Sequence, residues 1–146
     1  MDLSGLKWPA IILVVVAIGW LATSGGVNFM VDKCTKAAPG QDVARDKADE
    51  AGLTHVGGYL FVLLRYERAA TVMNLAIQRY GTNGANYYYN LYRIAKCLEK
   101  MDRMQDSYNI LRNLTDIDAK QFDDRIPNRD VLAARATKLK EVNNLQ

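Results

Sequence analysis

Apolar residues are distributed in two ways along the chain. Between Trp8 and Val31 they form one uncharged run of 24 residues, WPAIILVVVAIGWLATSGGVNFMV. From Asp42 onward they recur at three- and four-residue steps, the spacing of one face of an α-helix, and no strand-like alternation persists. The run predicts a transmembrane helix, because a bilayer core about 30 Å thick takes roughly 20 apolar residues. Its densest part is Ile11–Ala22, with Ile11 and Val15 in the apolar stretch and Trp8 and Trp20 suited to the interfaces. Pro9 falls near the helix start, where its missing N–H costs little. Ser24, Gly25 and Gly26 weaken the far end, where the helix is expected to fray or bend. The prediction is therefore all-α: a single N-terminal transmembrane anchor over 1–31, a linker over 32–41 and a helical domain over 42–146.

A secretory signal peptide is the rival reading of the first segment. Lys7, the Ile11–Ala22 stretch and the small residues Ala22-Thr23-Ser24 fit it loosely. A buried helix of a soluble domain fits poorly with a run so uniformly apolar. For orientation, Lys33, Lys36, Arg45 and Lys47 are offset by Asp32, Asp42 and Asp46, so the positive-inside count leans slightly toward a cytoplasmic C-terminal domain. Small bacterial inner-membrane proteins with one N-terminal anchor commonly export the domain that follows. Both orientations stay open, with export preferred. The linker DKCTKAAPGQ is polar and carries Pro39-Gly40, a turn composition that holds the domain close to the membrane.

Four apolar stripes follow. Leu53, Val56, Leu60 and Leu64 form the first, and Ala69, Met73, Ala76 and Ile77 the second. The third holds Leu91, Ile94, Ala95 and Leu98, and the fourth Ser107, Leu111 and Leu114. Gly81-Thr82-Asn83-Gly84 is a strong break and Lys100–Arg103 a weaker one, which predicts two helical hairpins in series. The hairpins repeat at a constant offset of 38 residues, pairing Leu53 with Leu91, Val56 with Ile94, Ala69 with Ser107 and Met73 with Leu111. A fixed offset marks a repeat architecture, and two-helix repeats of this kind have a period of about 34 residues. Insertion of Thr82–Ala85 accounts for the excess.

On these residues the chain resembles the tetratricopeptide repeat (TPR) family over about residues 48–120. The family's large, apolar-small, large pattern is read as Leu53, Val56-Gly57, Leu60 and again as Leu91, Ile94-Ala95, Leu98. The small-bulky-small pattern of the second helix is read as Ala69, Met73, Ala76, and less well as Ser107, Leu111, Leu114. Tyr66 stands in the expected aromatic place, while Gly81 stands where the family often has Pro. Small residues let helices approach while large ones fill the grooves between them. Two repeats are few for such a stack, whose end faces need covering. Residues 128–143, with Val131, Leu132, Ala136, Leu139 and Val142 as its stripe, predict a C-terminal capping helix. Its opposite face carries Arg135, Lys138, Lys140 and Glu141. Residues 115–126 read as an acidic loop pinned by Phe122 or Ile126.

The resemblance implies a concave face lined by the first helix of each repeat. Tyr89, Tyr92, Arg93, Lys96 and Lys100 would look into it, with Thr54, His55 and Phe61 among their counterparts in the first repeat. Tyr and Arg dominate binding hot spots. Cations one helical turn apart favour an acidic or C-terminal peptide.

Composition excludes several other chemistries. The 146 residues are 49% apolar and 24% charged, with a formal net charge of +3, which suits one domain. The mean hydropathy of −0.16 averages two unlike materials. Two Cys and one His leave neither a disulfide framework nor a multi-His metal site. There is no Gly-rich phosphate loop, no Cys-x-x-Cys and no His-Glu-x-x-His, so no catalytic residue, metal ligand or cofactor is expected. A Cys97/His55 dyad is conceivable but lacks a motif, and Cys34 reads as an ordinary residue of the linker. Interleaved acids and bases argue against nucleic acid. The expectation is a non-catalytic, membrane-anchored scaffold, assembly factor or accessory subunit that binds other proteins of a membrane complex. Small residues Ala17, Gly19 and Ala22 would let the anchor pack on partner helices. The alternatives are an exported soluble adaptor or chaperone after signal cleavage, and a self-assembling, homo-oligomeric anchored protein.

Overall fold

The computed structural model describes residues 4–146, with side chains described from Lys7 onward. The first three residues of the expected anchor lie outside the described residues. Seven α-helices and no strand make up the described residues. They are α1 (Ser4–Leu21), α2 (Ser24–Thr35), α3 (Val43–Val62), α4 (Tyr66–Tyr80), α5 (Tyr87–Lys100), α6 (Met104–Asp116) and α7 (Arg129–Asn143).

The apolar run is not one helix. It breaks at Ala22-Thr23, and α2 turns away from α1 by 76°. Among the described residues no single helix is long and apolar enough to cross a membrane; α1 and α2 meet that length and composition only as a bent pair. The break falls just before the expected weak point, for local reasons. Thr23 adopts an extended backbone and its Oγ1 accepts from the Gly26 N–H at 3.3 Å, capping α2. The same hydroxyl donates to the Trp20 carbonyl at 2.6 Å, tying off α1. Gly26 is needed at this elbow, because a Cβ there would collide with the Trp20 carbonyl oxygen and the Leu21 backbone.

The two helices then differ completely. From Trp8 to Trp20 every large apolar side chain of α1 is open, between 49% exposed at Trp20 and 71% at Trp8, and only Leu21 at the elbow is half-buried. Helix α2 instead packs on α3, with Val27 and Val31 joining Leu53, Val56, Leu60, Ala69, Val72 and Ala76 in one apolar cluster. The expected linker is thereby shortened, because Asp32–Thr35 are helical. Arginines of α4 and the turn before it clasp this segment. Arg65 donates to the Ala22 carbonyl at 3.1 Å and Ser24 Oγ at 3.3 Å, and Arg68 to Asn28 Oδ1 at 2.7 Å. At the other end of α4, Arg79 donates to the Ala37 carbonyl at 2.5 Å. Helix α2 therefore runs parallel to α4 and covers the first face of the stack.

The hairpins α3–α4 and α5–α6 follow, but Leu64, expected to end the first apolar stripe, lies exposed in the turn after α3 because its φ of 61° ends the helix; the repeat extends to the turns themselves. Leu64 and Asp102, 38 residues apart, both have φ of 61°. Arg65 and Arg103 follow at φ/ψ of −91°/62° and −92°/63°. Their N–H groups donate to the Leu60 and Leu98 carbonyls, both at 2.9 Å. Between the hairpins, Gly81 at φ 61° ends α4, a left-handed position that glycine takes without strain. Buried Glu50 of α3 accepts from the backbone N–H groups of Ala85 at 3.0 Å and Asn86 at 2.7 Å, which places the start of α5. A carboxylate at a helix N-terminus is also favoured by the helix dipole.

Met73, Ile94 and Leu98 link the first cluster to a second one around Ala95, Tyr108, Leu111, Leu114, Ile126, Leu132 and Ala136. Helix α7 closes this end against α6. Of its expected stripe, Leu132 and Ala136 are buried and Leu139 half-buried, whereas Val131 and Val142 are exposed. Ile126 pins the preceding loop, and Phe122 is exposed but stacks on Tyr88 with centroids 4.8 Å apart.

Candidate functional site

One face of the stack gathers side chains from α3, α5 and α7. Their register follows from the repeat: Phe61, Arg93 and Lys96 lie outside the buried stripes of α3 and α5. Arg93 reaches across to α3, beside Gly58, with its guanidinium carbon 5.0 Å from the Phe61 ring centre. The same group lies 5.7 Å from the Tyr89 ring centre and donates to the Tyr89 hydroxyl at 3.0 Å. The ammonium of Lys96 sits 5.8 Å from the Phe61 ring centre and 5.6 Å from that of Tyr92. The result is two cations lodged among three aromatic rings, an arrangement stabilised by the ring quadrupoles.

Neither cation has an acidic partner. No ion pair among the described residues includes Arg93 or Lys96. Arg93 Nε is buried with no hydrogen-bond partner. Desolvation lowers the pKa of Lys96, and the positive charges of Arg135 and Arg93 lower it further, against the smaller opposing pull of Glu99.

Two features define the edge of this face. Arg135 of α7 holds Glu99 of α5 with two bonds, at 3.0 and 2.7 Å, and Glu99 also accepts from Ser107 Oγ at 3.2 Å. This bidentate bond raises the Arg135 pKa against the opposing effect of burial. Arg125 lies 4.1 Å from the Tyr89 ring centre and donates to Asn86 Oδ1 at 2.9 Å and Asp123 Oδ2 at 2.6 Å. Burial alone would raise the Asp123 pKa, but the hydrogen bonds from Arg125 outweigh it and hold the carboxyl below its ordinary value.

The expected groove residues separate into two groups. Tyr89, Arg93, Lys96 and Phe61 converge at half-buried positions, and Lys100 and His55 are exposed on α5 and α3. Tyr92 is only 9% exposed and belongs to the apolar cluster between α5, α6 and α7. Thr54 is buried, and its hydroxyl donates to the Glu50 carbonyl within its own helix at 3.1 Å. Neither presents an open surface. Arg135, read from the sequence as part of a solvated face, instead turns inward to Glu99. Arg125 was not expected at all. The Glu99–Arg135 pair spans 36 residues and the Asn86–Arg125 contact 39, so neither follows from local spacing in the sequence.

The other candidate chemistry is dispersed. Cys97 is fully buried, and desolvation pushes its thiol up to about 11, against the pull of Arg93 and Lys96. His55 is exposed on α3. Such a thiol is a packing residue rather than a nucleophile at neutral pH. Among the described residues no group of three or more His, Cys, Asp or Glu side chains could hold a metal ion. Comparison with family models, with curated proteins and with solved structures gives no match.

Proposed function

We propose that this chain is a non-catalytic, membrane-anchored scaffold or accessory subunit of a membrane protein complex, built on a TPR-like stack. Helix α1 is its anchor, and the α3–α5–α7 face receives an acidic segment of a partner protein. The observation that carries the reading is the pairing of these two surfaces. From Trp8 to Trp20 one helix exposes apolar side chains on every side, and a separate face holds Arg93 and Lys96 outside any ion pair among the described residues.

Helix α1 is short for its task. Lys7 to Leu21 spans roughly 22 Å at 1.5 Å per residue, against a core of about 30 Å. Snorkelling of Lys7 and local thinning of the bilayer accommodate such a difference at modest cost. The elbow fixes the direction in which the anchor leaves the stack. Export of the C-terminal domain across a bacterial inner membrane is the preferred orientation.

The test is native capture of partners in mild detergent, comparing the wild type with Arg93→Glu/Lys96→Glu. Loss of partners with an unchanged helical spectrum supports the face. Capture of the same partners would remove the face from the account and leave the anchor. Release of the wild type from membranes by alkaline carbonate would contradict the anchor itself.

A further inference from the structure

The two inter-helix turns of the repeat share a backbone but not a surface. Their φ values, following residues and closing hydrogen bonds coincide at an offset of 38 residues. The α5–α6 turn reads Lys100-Met101-Asp102, which is the composition of a solvated turn. The α3–α4 turn reads Val62-Leu63-Leu64, exposed by 74%, 36% and 70%. At the positions of Val62 and Leu64 the second hairpin carries Lys100 and Asp102, so the turn needs no aliphatic side chain there, whereas Met101, the counterpart of Leu63, is half-buried against the core.

Leu64 is the sharpest case. At φ 61° a leucine bears a steric cost that Asp or Asn largely avoids through local hydrogen bonding. Asp102 occupies the equivalent position in the second hairpin. Burial inside the chain does not offset the cost for Leu64, because most of the side chain is open.

The place of this turn supplies what is missing. Arg65, the next residue, binds Ala22 and Ser24, so the turn lies at the elbow where α1 leaves the stack. Trp20 and Phe29 stand at the same elbow, half-exposed, with ring centres 5.8 Å apart. The apolar turn thus adjoins a helix that exposes aliphatic side chains all round, while its polar twin closes the other hairpin.

We propose that Val62, Leu63 and Leu64 insert into the lipid interface beside α1, seating the repeat domain on the bilayer surface at a fixed angle. The occupant is lipid because the patch continues the surface of α1, whose apolar circumference suits hydrocarbon. The aromatic pair at the elbow suits the interfacial level. This inference rests on the reading of α1 as the anchor.

The test uses the full chain in phospholipid vesicles carrying doxyl-labelled lipid. Single cysteines at positions 14, 62 and 102, from Val14→Cys, Val62→Cys and Asp102→Cys, carry a solvatochromic dye. They are placed in a Cys34→Ser background, where buried Cys97 stays unlabelled. The expected result is strong quenching at 14, clear quenching with a blue shift at 62, and little of either at 102. Adding Leu64→Asp should reduce the quenching at 62 while the thermal midpoint in detergent holds or rises. Quenching at 14 with equal, weak signals at 62 and 102 would overturn the seating and leave the anchor. Absence of quenching at 14 would overturn both.

Discussion

Helices α1 and α2 come from one uncharged run, yet their side chains meet opposite surroundings. From Trp8 to Trp20 every large apolar side chain of α1 is about half exposed or more, whereas α2 buries Val27 completely against α3. The difference lies in both apolar content and periodicity. From Ile11 to Val16 every position is aliphatic, so α1 has no polar side to turn to water. Helix α2 carries Asn28, Asp32 and Lys33 on its outer side and Val27, Met30, Val31 and Cys34 on its inner one. That inner spacing matches Leu53, Val56, Gly57 and Leu60 of the first repeat. One helix is the anchor proposed above, and the other is a cap that gives the two-hairpin stack its first face.

Charge insertion separates the two helices most strongly. Val27→Asp places a carboxylate in the apolar cluster and should cost about 3 kcal/mol or more of stack stability, read from chemical denaturation in detergent. Val15→Asp should leave that stability within about 0.5 kcal/mol but weaken membrane retention. Equal effects of the two changes would break the distinction. A smaller effect is expected at the joint. Arg65→Ala removes the bonds to Ala22 and Ser24 and should cost about 1–2 kcal/mol. It should also broaden the distance distribution between spin labels on α1 and α4. An unchanged distribution would mean that Thr23 and Gly26 hold the bend alone.

The cap at the other end sharpens the comparison. Glu99→Gln loosens the half-buried grip of Arg135 and should cost about 1 kcal/mol, with faster hydrogen exchange in α7 and none of that change in α2. The smallest effect is a pH response of the loop before α7. The Asp123 carboxyl is lowered in the folded state, so its contribution is complete above about pH 4, the ordinary carboxylate value. It is lost as pH falls through the lowered value. A carboxyl-detected titration by NMR should place Asp123 below the ordinary carboxylate value, and an ordinary value would contradict the Arg125 contact.

Most of the stack was legible in the sequence because each hairpin writes its own period. Leu53–Leu60 and Leu91–Leu98 set the first helices, and the 38-residue offset set the second ones. The elbow was hidden because it depends on a side-chain cap at Thr23 and a backbone approach at Gly26. Neither changes the apolar content of the run. The stripe from Val27 to Cys34 was present all along, but an uncharged run reads as one element until its polar side is counted. The binding face was half legible. Tyr89, Arg93 and Lys96 share a helix and hence a face, while Arg125 and Arg135 arrive through tertiary packing. Tyr92 sits at the boundary between face and core, where helical spacing alone does not decide.

Hydrogen exchange of the full chain, compared between detergent micelles and lipid nanodiscs, tests the division of the apolar run most directly. Amides from Val27 to Thr35 should show the same protection in both media and open together with those of α3 and α4. Amides from Ile11 to Leu21 should gain protection in nanodiscs. If the amides of α2 follow those of α1 with the change of lipid, α2 belongs to the membrane segment and the cap does not exist.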